Sequence, residues 1–204
     1  VVIVCKDRPG FVVNRFFVPW LNEACLLLEE GIGTEAQIDA VACEAFSIGM
    51  GPFALMNLTG PPIALHSTNY LAKQLDTPRY QGAQCLHDLV DDGVMWSIGE
   101  ETNADASAVQ TIRERLLGCV FAVADQIVQE EICSMEDVDR GAKVGLRWAL
   151  GPFELMNEIG VEESHHMAQA YARLCGESFS APSTLAAQVE IGEKFGFTFV
   201  DVTV

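Results

Sequence analysis

Apolar residues in the first thirty positions recur at helical rather than strand spacing. Between Phe11 and Glu30, the residues Phe17, Trp20, Leu21, Ala24, Leu27 and Leu28 fall on the i, i+3, i+4, i+7 pattern of one helix face, and Gly31 stands where a helix-ending glycine belongs. Thr34 with Gln37 three positions later is a capping box and opens a second helix to about Ser47. Gly51-Pro52-Phe53 predicts a third helix start, with glycine at the N-cap and proline at the first helical position, where its missing N–H is not needed. Gly60 ends that helix, and amphipathic patterns to about Leu75 and over about Ala83 to Asp92 complete five helices.

The same pattern then repeats. Gly51-Pro-Phe-Ala-Leu-Met-Asn-Leu-Thr-Gly60 returns as Gly151-Pro-Phe-Glu-Leu-Met-Asn-Glu-Ile-Gly160, an offset of 100 residues. Carried backwards, the offset pairs Arg15 with Arg115, Ala24 with Ala124, Glu30 with Glu130 and Asp39 with Asp139. Forwards, with a one-residue slip, Leu86, Val90 and Gly93 match Leu185, Val189 and Gly192. Ser134 with Asp137 nearly repeats the capping box and opens a helix to about Ala149, and helices to about Leu174 and over about Pro182 to Gly192 follow. The expectation is an all-α chain of two tandem five-helix repeats, residues 1–100 and 101–204. Strand signals occur only in short β-like tails, Val1 to Cys5 and Phe197 to Val204, and the two tails are expected to lie at the surface and pair. Residues 1–8, which begin as a bare strand, are expected to be the remnant of a preceding domain.

Composition narrows the possible partners. The 204 residues carry 12 Lys plus Arg against 29 Asp plus Glu, a formal charge of -17, yet half are apolar and the mean hydropathy is +0.21. Disordered acidic chains are poor in apolar residues, so this charge is the solvated surface of a folded protein. Polyanions and anionic headgroups are bound through Lys and Arg, which argues against nucleic acid and membrane surfaces as partners. The longest apolar runs are far below the roughly 20 residues needed to span a bilayer. Seven cysteines, an odd number without C-x-x-C spacing, indicate free thiols in a reducing compartment, with a cytoplasmic location expected.

Several candidate motifs carry no chemistry. Gly31-Ile-Gly33-Thr-Glu-Ala36 matches the letters of a dinucleotide fingerprint, but a long helix precedes it where that motif needs a strand, so it is a C-cap followed by an N-cap. His66, His87 and the adjacent pair His165-His166 have no metal-ligand spacing and are expected on exposed helix faces, so no metal site is assigned. The exception is the lead-in Asp7-Arg-Pro-Gly-Phe11-Val-Val13-Asn14-Arg15. Asn14 there is either a capping or buried structural amide or a functional one, and Arg15 is an ion-pair partner of Glu23 or of another helix. The second copy keeps Arg115 but has Glu114 opposite Asn14 and lacks the Pro-Gly-Phe lead-in, so the feature belongs to the first copy alone.

Asp7-x-Pro9-Gly10-Phe11-x-Val13-Asn14-Arg15, followed by Pro19, Glu23, Glu30-Gly31, Asp39, Gly51-Pro52-Phe53 and Gly60, resembles the C-terminal domain of NAD-dependent L-3-hydroxyacyl-CoA dehydrogenases in order and spacing. The resemblance covers nearly the whole chain as two copies, similar to the multifunctional fatty-acid oxidation enzymes, with the second copy degenerate at its start. It implies a missing upstream Rossmann domain that binds NAD and supplies a His general base oriented by a Glu. It implies for Asn14 a catalytic role near the substrate carbonyl and that His, and for Phe11 and Val13 a place in the acyl-CoA cleft. No cofactor is expected on this chain by itself, which should be inactive alone. The resemblance also implies that repeat-to-repeat packing about a pseudo-two-fold axis replaces a homodimer contact, with Leu21, Leu28, Phe121 and Val128 near the junction. The competing reading is a non-catalytic helical oligomerisation module of another Rossmann-type oxidoreductase.

Overall fold

The computed structural model describes residues 1–99, 104–177 and 179–196. Among these it contains ten α-helices and no strand. The first copy holds α1 (Val13–Glu29), α2 (Glu35–Phe46), α3 (Pro52–Thr59), α4 (Pro61–Leu75) and α5 (Gln84–Asp91), with a 3-10 turn at Pro78–Tyr80. The second holds α6 (Ala106–Gln129), α7 (Met135–Gly145), α8 (Pro152–Ile159), α9 (Val161–Cys175) and α10 (Ser183–Ile191). No described helix is long and apolar enough to cross a membrane.

The expected caps form. Gly31, at φ +69°, turns the chain out of α1, and Thr34 and Gln37 exchange both capping-box bonds at the start of α2. The repeated Asp39 and Asp139 prove to be the caps of α3 and α8. Asp39 accepts from the Phe53 and Ala54 N–H groups at 2.8 and 2.9 Å, and Asp139 accepts from Phe153 and Glu154 at the same distances. Glycine is required at 51 and 151 because a Cβ there would collide with the capping aspartate. Asn57 and Asn157 of the repeated segment exchange two bonds each with the backbone of Trp96 and Phe195, whose rings rest on Phe53 and Phe153. The repeated sequence is thus a structural cassette.

Burial pushes the Asp139 carboxyl up to about 7, against the lowering effect of the two N–H donors it caps. A folded-state value above the unfolded one, about 3.9, means that the proton favours the folded state. The stability tied to that proton is complete below about pH 4 and is lost as the pH rises through about 7. Thermal melts should therefore show a midpoint falling between about pH 5 and pH 8, and Asp139→Asn should flatten that part of the profile.

Two expectations need revision. The helix expected to run to Ala149 ends at Gly145, because the chain turns at Arg147 (φ +58°) to bury Trp148. That indole packs against Phe16, Trp20 and Phe46 of the first copy at centroid distances of 5.7, 5.8 and 4.9 Å. Val1 to Cys5 forms no strand; Lys6 N–H donates to Ile132 C=O at 2.9 Å and Ile3 lies by Gly141 on α7, so the segment rests on the second copy. The tail Phe197 to Val204 lies outside the described residues.

The two copies share one core, with α1 packed against α6. Leu21 and Phe121 are buried, and Leu28 and Val128 are partly buried against the same core. Ion pairs cross the junction reciprocally: Arg15 with Glu130 at 2.6 Å, and its counterpart Arg115 with Glu30. Glu23, 1 % exposed, accepts from Arg79 at 3.0 and 2.7 Å and from Arg115 Nε at 2.6 Å. Tyr80 and Phe179, at matching positions of the two copies, meet edge to face.

Candidate functional site

The lead-in, α1 and α4 enclose a half-open cleft of about 420 Å³ in the first copy. One wall is the lead-in from Asp7 to Phe11, the second is Asn14 and Val18 on α1, and the third is His66, Ser67, Tyr70 and Leu71 on α4. Asn14 and Val18 are one turn apart on one face of α1. His66 and Tyr70 stand in the same relation on α4. Val18 and Leu71 are almost fully buried and form an apolar floor, whereas Asn14, His66 and Tyr70 are exposed above it.

The sharp turn that forms the first wall depends on Gly10. Its φ is +79°, and an added Cβ would lie 3.0 Å from the Arg15 backbone and 3.2 Å from Leu71 Cδ2. Phe11 follows at φ +46°, its N–H bonded to Arg8 C=O, and the residue is 58 % exposed. A bulky residue in the left-handed region costs roughly 1–3 kcal/mol and persists where its surroundings enforce it. Those surroundings come largely from the second copy. Arg15, 1 % exposed, bridges the Pro9 carbonyl at 3.5 Å and Glu130 at 2.6 Å, and Lys6 reaches the Glu130 carbonyl and the Glu131 carboxylate at 3.3 and 3.0 Å. Of the two partners open to Arg15 from the sequence, it takes the one beyond its own helix, Glu130 at the C-terminal cap of α6.

Asn14 does not cap α1. The N-cap is Val12, and the Asn14 amide makes no hydrogen bond with the described residues. Its donor and acceptor both remain available in the cleft. Phe11 lines the same cleft. Val13 is absent from the cleft lining and sets its Cγ2 against Gly141 and Gly145 on α7, where it helps fix the start of α1.

His66, Ser67 and Tyr70 complete the site, and none was singled out for it by sequence. His66 is exposed as expected, but its i+4 relation to Tyr70 gives no sign that α4 faces the lead-in. The histidines His165 and His166 lie on α9 of the second copy, and no metal-binding group of three or more His, Cys, Asp or Glu occurs among the described residues.

At the matching place in the second copy the structure is filled. Helix α6 begins seven residues before the offset counterpart of α1, so about two helical turns run where the first copy has its lead-in loop. Gly118 replaces Val18, and a Cβ there would lie 2.5 Å from the Met167 carbonyl, so the α6 and α9 backbones touch. Met167 and Tyr171, the counterparts of Ser67 and Leu71, are buried in the contact, and Glu114 replaces Asn14.

Gly31 and Gly33 do not offer a fit for a dinucleotide. Gly33 lies against Ile112 of α6, with a notional Cβ 3.0 Å from Ile112 Cδ1, and the first N–H groups of α2 are engaged in its own capping box.

Comparison with known proteins agrees with the sequence. The family model "3-hydroxyacyl-CoA dehydrogenase, C-terminal domain" matches residues 10–102 and again 112–201. The fatty acid oxidation complex subunit alpha of Vibrio cholerae is 27% identical over 95% of the chain, which spans 31% of that relative. The mitochondrial hydroxyacyl-coenzyme A dehydrogenase of Homo sapiens is 34% identical over 43% of the chain and 28% of the relative. The crystal structure of 3-hydroxybutyryl-CoA dehydrogenase from Escherichia coli K12 superposes with a TM-score of 0.77 over 93% of this chain and 61% of that one, at 15% identity, a likeness of fold.

Proposed function

Because the chain belongs to the family of 3-hydroxyacyl-CoA dehydrogenase C-terminal domains, we propose that it forms the substrate-cleft half of an NAD-dependent enzyme that oxidises 3-hydroxyacyl-CoA to 3-oxoacyl-CoA in fatty-acid oxidation. The chain spans less than a third of the length of the bacterial relatives it matches. The remaining machinery would lie in an upstream Rossmann domain. That domain would bind NAD, the hydride acceptor, and carry the His base with its orienting Glu. This chain supplies the facing wall.

The observation that carries this reading is the Asn14 amide, exposed in a preformed cleft and unused by the fold. As the 3-hydroxyl loses its proton to the base and its C3 hydrogen as hydride, the oxygen becomes a carbonyl. An amide N–H directed at that oxygen stabilises the charge that develops during transfer, and the amide C=O can accept from an imidazole N–H. Phe11 closes one side of the acyl site, and Val13 holds the helix start that aims Asn14. Replacing Asn14 in the intact enzyme and measuring turnover tests the assignment.

The division into copies at 1–100 and 101–204, related by a pseudo-two-fold axis, fits the reciprocal Arg15–Glu130 and Arg115–Glu30 pairs. An isologous contact has this form: position i meets position j of the partner and j meets i. The second copy would then stand in for a homodimer partner, holding the lead-in of the first while its own cleft is closed. Seven free cysteines among the described residues fit a reducing, cytoplasmic setting.

A further inference from the structure

The charge of -17 is distributed unevenly. Residues 1–18 and 61–75, which include all of the cleft walls, hold four Lys or Arg and a single acid, a net charge of +3, leaving -20 on the other 171 residues. Helix α4 contains no carboxylate at all. Its counterpart α9 has Glu162 and Glu163 where α4 has Pro62 and Ile63.

Two of the four cations are committed to the junction, Lys6 to Glu131 and Arg15 to Glu130. The other two are free of ion pairs with the described residues. Arg8 lines the cleft and donates only to the backbone carbonyl of Asp7, at 3.2 Å, which leaves most of its N–H donors open. Lys73 is exposed three positions after Tyr70, on the face of α4 that carries His66 and Tyr70. In the second copy these positions are Ala108 and Arg173, whose guanidinium is bonded to Gln169.

We propose that Arg8 and Lys73 form a basic rim that holds the phosphate-bearing end of a coenzyme-A thioester while its acyl end enters the cleft beside Asn14. The proposal rests on the reading that this cleft receives the thioester. Charges separated by more than about 8 Å are largely screened at physiological ionic strength, so the local sign of the rim governs a phosphate docked there, rather than the net charge. A guanidinium takes a phosphate through two parallel N–H bonds, and an ammonium adds a mobile point charge. The chain thereby supplies part of the phosphate binding that its acidity would otherwise assign wholly to an upstream domain.

The test uses the intact enzyme and two substrates with the same acyl group, one on coenzyme A and one on pantetheine, which lacks the nucleotide phosphates. Arg8→Gln and Lys73→Gln should each raise KM for the coenzyme-A substrate about threefold, and about tenfold together, as expected for exposed charge contacts. The ratio of that KM to the pantetheine KM should rise by the same factor, and added salt should shrink the effect. A parallel rise for both substrates, no rise, or a rise confined to the KM for NAD would overturn the proposal. Asn14→Ala separates this from the underlying reading. An unchanged kcat in that variant with a selective rim effect refutes the role of Asn14 alone, whereas a reduced kcat without a rim effect refutes the rim alone.

Discussion

Asn14→Ala in the intact enzyme should lower kcat by about a hundredfold or more and leave the thermal midpoint of this region where it is. The first half follows from removing one N–H donor aimed at an oxygen on which charge develops, an effect of about 10²–10³ in kcat where such donors have been deleted. The second half follows from the structure. Asn14 is exposed, caps nothing and bonds to none of the described residues, so its truncation strands no buried partner. Surface changes of that kind usually stay within about 0.5 kcal/mol. A structural amide would show the reverse, lost stability with turnover preserved. Asn14→Asp sharpens the point, because the carboxylate is close in shape but has no donor and should not restore turnover. Steady-state kinetics and a thermal melt on the same preparations decide it.

The largest stability effect should come from Glu23. Its carboxylate is 1 % exposed and receives three N–H bonds, two from Arg79 in the 3-10 turn and one from Arg115 of the second copy. Removing one member of a buried pair leaves uncompensated charge, at a cost of about 3–5 kcal/mol. Glu23→Ala should therefore lower the unfolding free energy in urea by that amount, with Arg79 left over the Tyr171 ring and Arg115 still reaching Glu30. Lys6→Ala at the exposed pair with Glu131 gives the contrast, since such pairs contribute at most about 1 kcal/mol. Comparable small losses in both variants would show that the junction does not depend on its buried charge.

The helices, their caps and the tandem repeat were legible because they depend on residues three or four positions apart, or on a segment recurring at one fixed offset. Thr34 with Gln37 and Gly51 with Pro52 belong to this class. The partners of Glu23 and Arg15 were not, because those bonds join residues far apart in sequence and helical spacing says nothing of what lies across an interface. The early end of α7 was hidden for the same reason: Trp148 leaves the helix for an aromatic pocket built by Phe16, Trp20 and Phe46.

The site divides in a similar way. Asn14 stood out because the second copy has a glutamate there, and Phe11 because it sits in the lead-in that only the first copy has. His66, Ser67 and Tyr70 enter only when α4 is folded against that lead-in. Gly118 shows the converse: one small residue in place of Val18 lets α9 close onto α6, so the repeat keeps its scaffold and loses its opening.

The most direct measurement is the structure of the intact enzyme with NAD and a 3-oxoacyl-CoA bound. The acyl group should lie in the cleft between the lead-in and α4, with the Asn14 amide within about 3.2 Å of the 3-oxo oxygen or of the imidazole of the upstream base. An acyl group bound elsewhere, with this cleft empty and Asn14 facing bulk water, would contradict it.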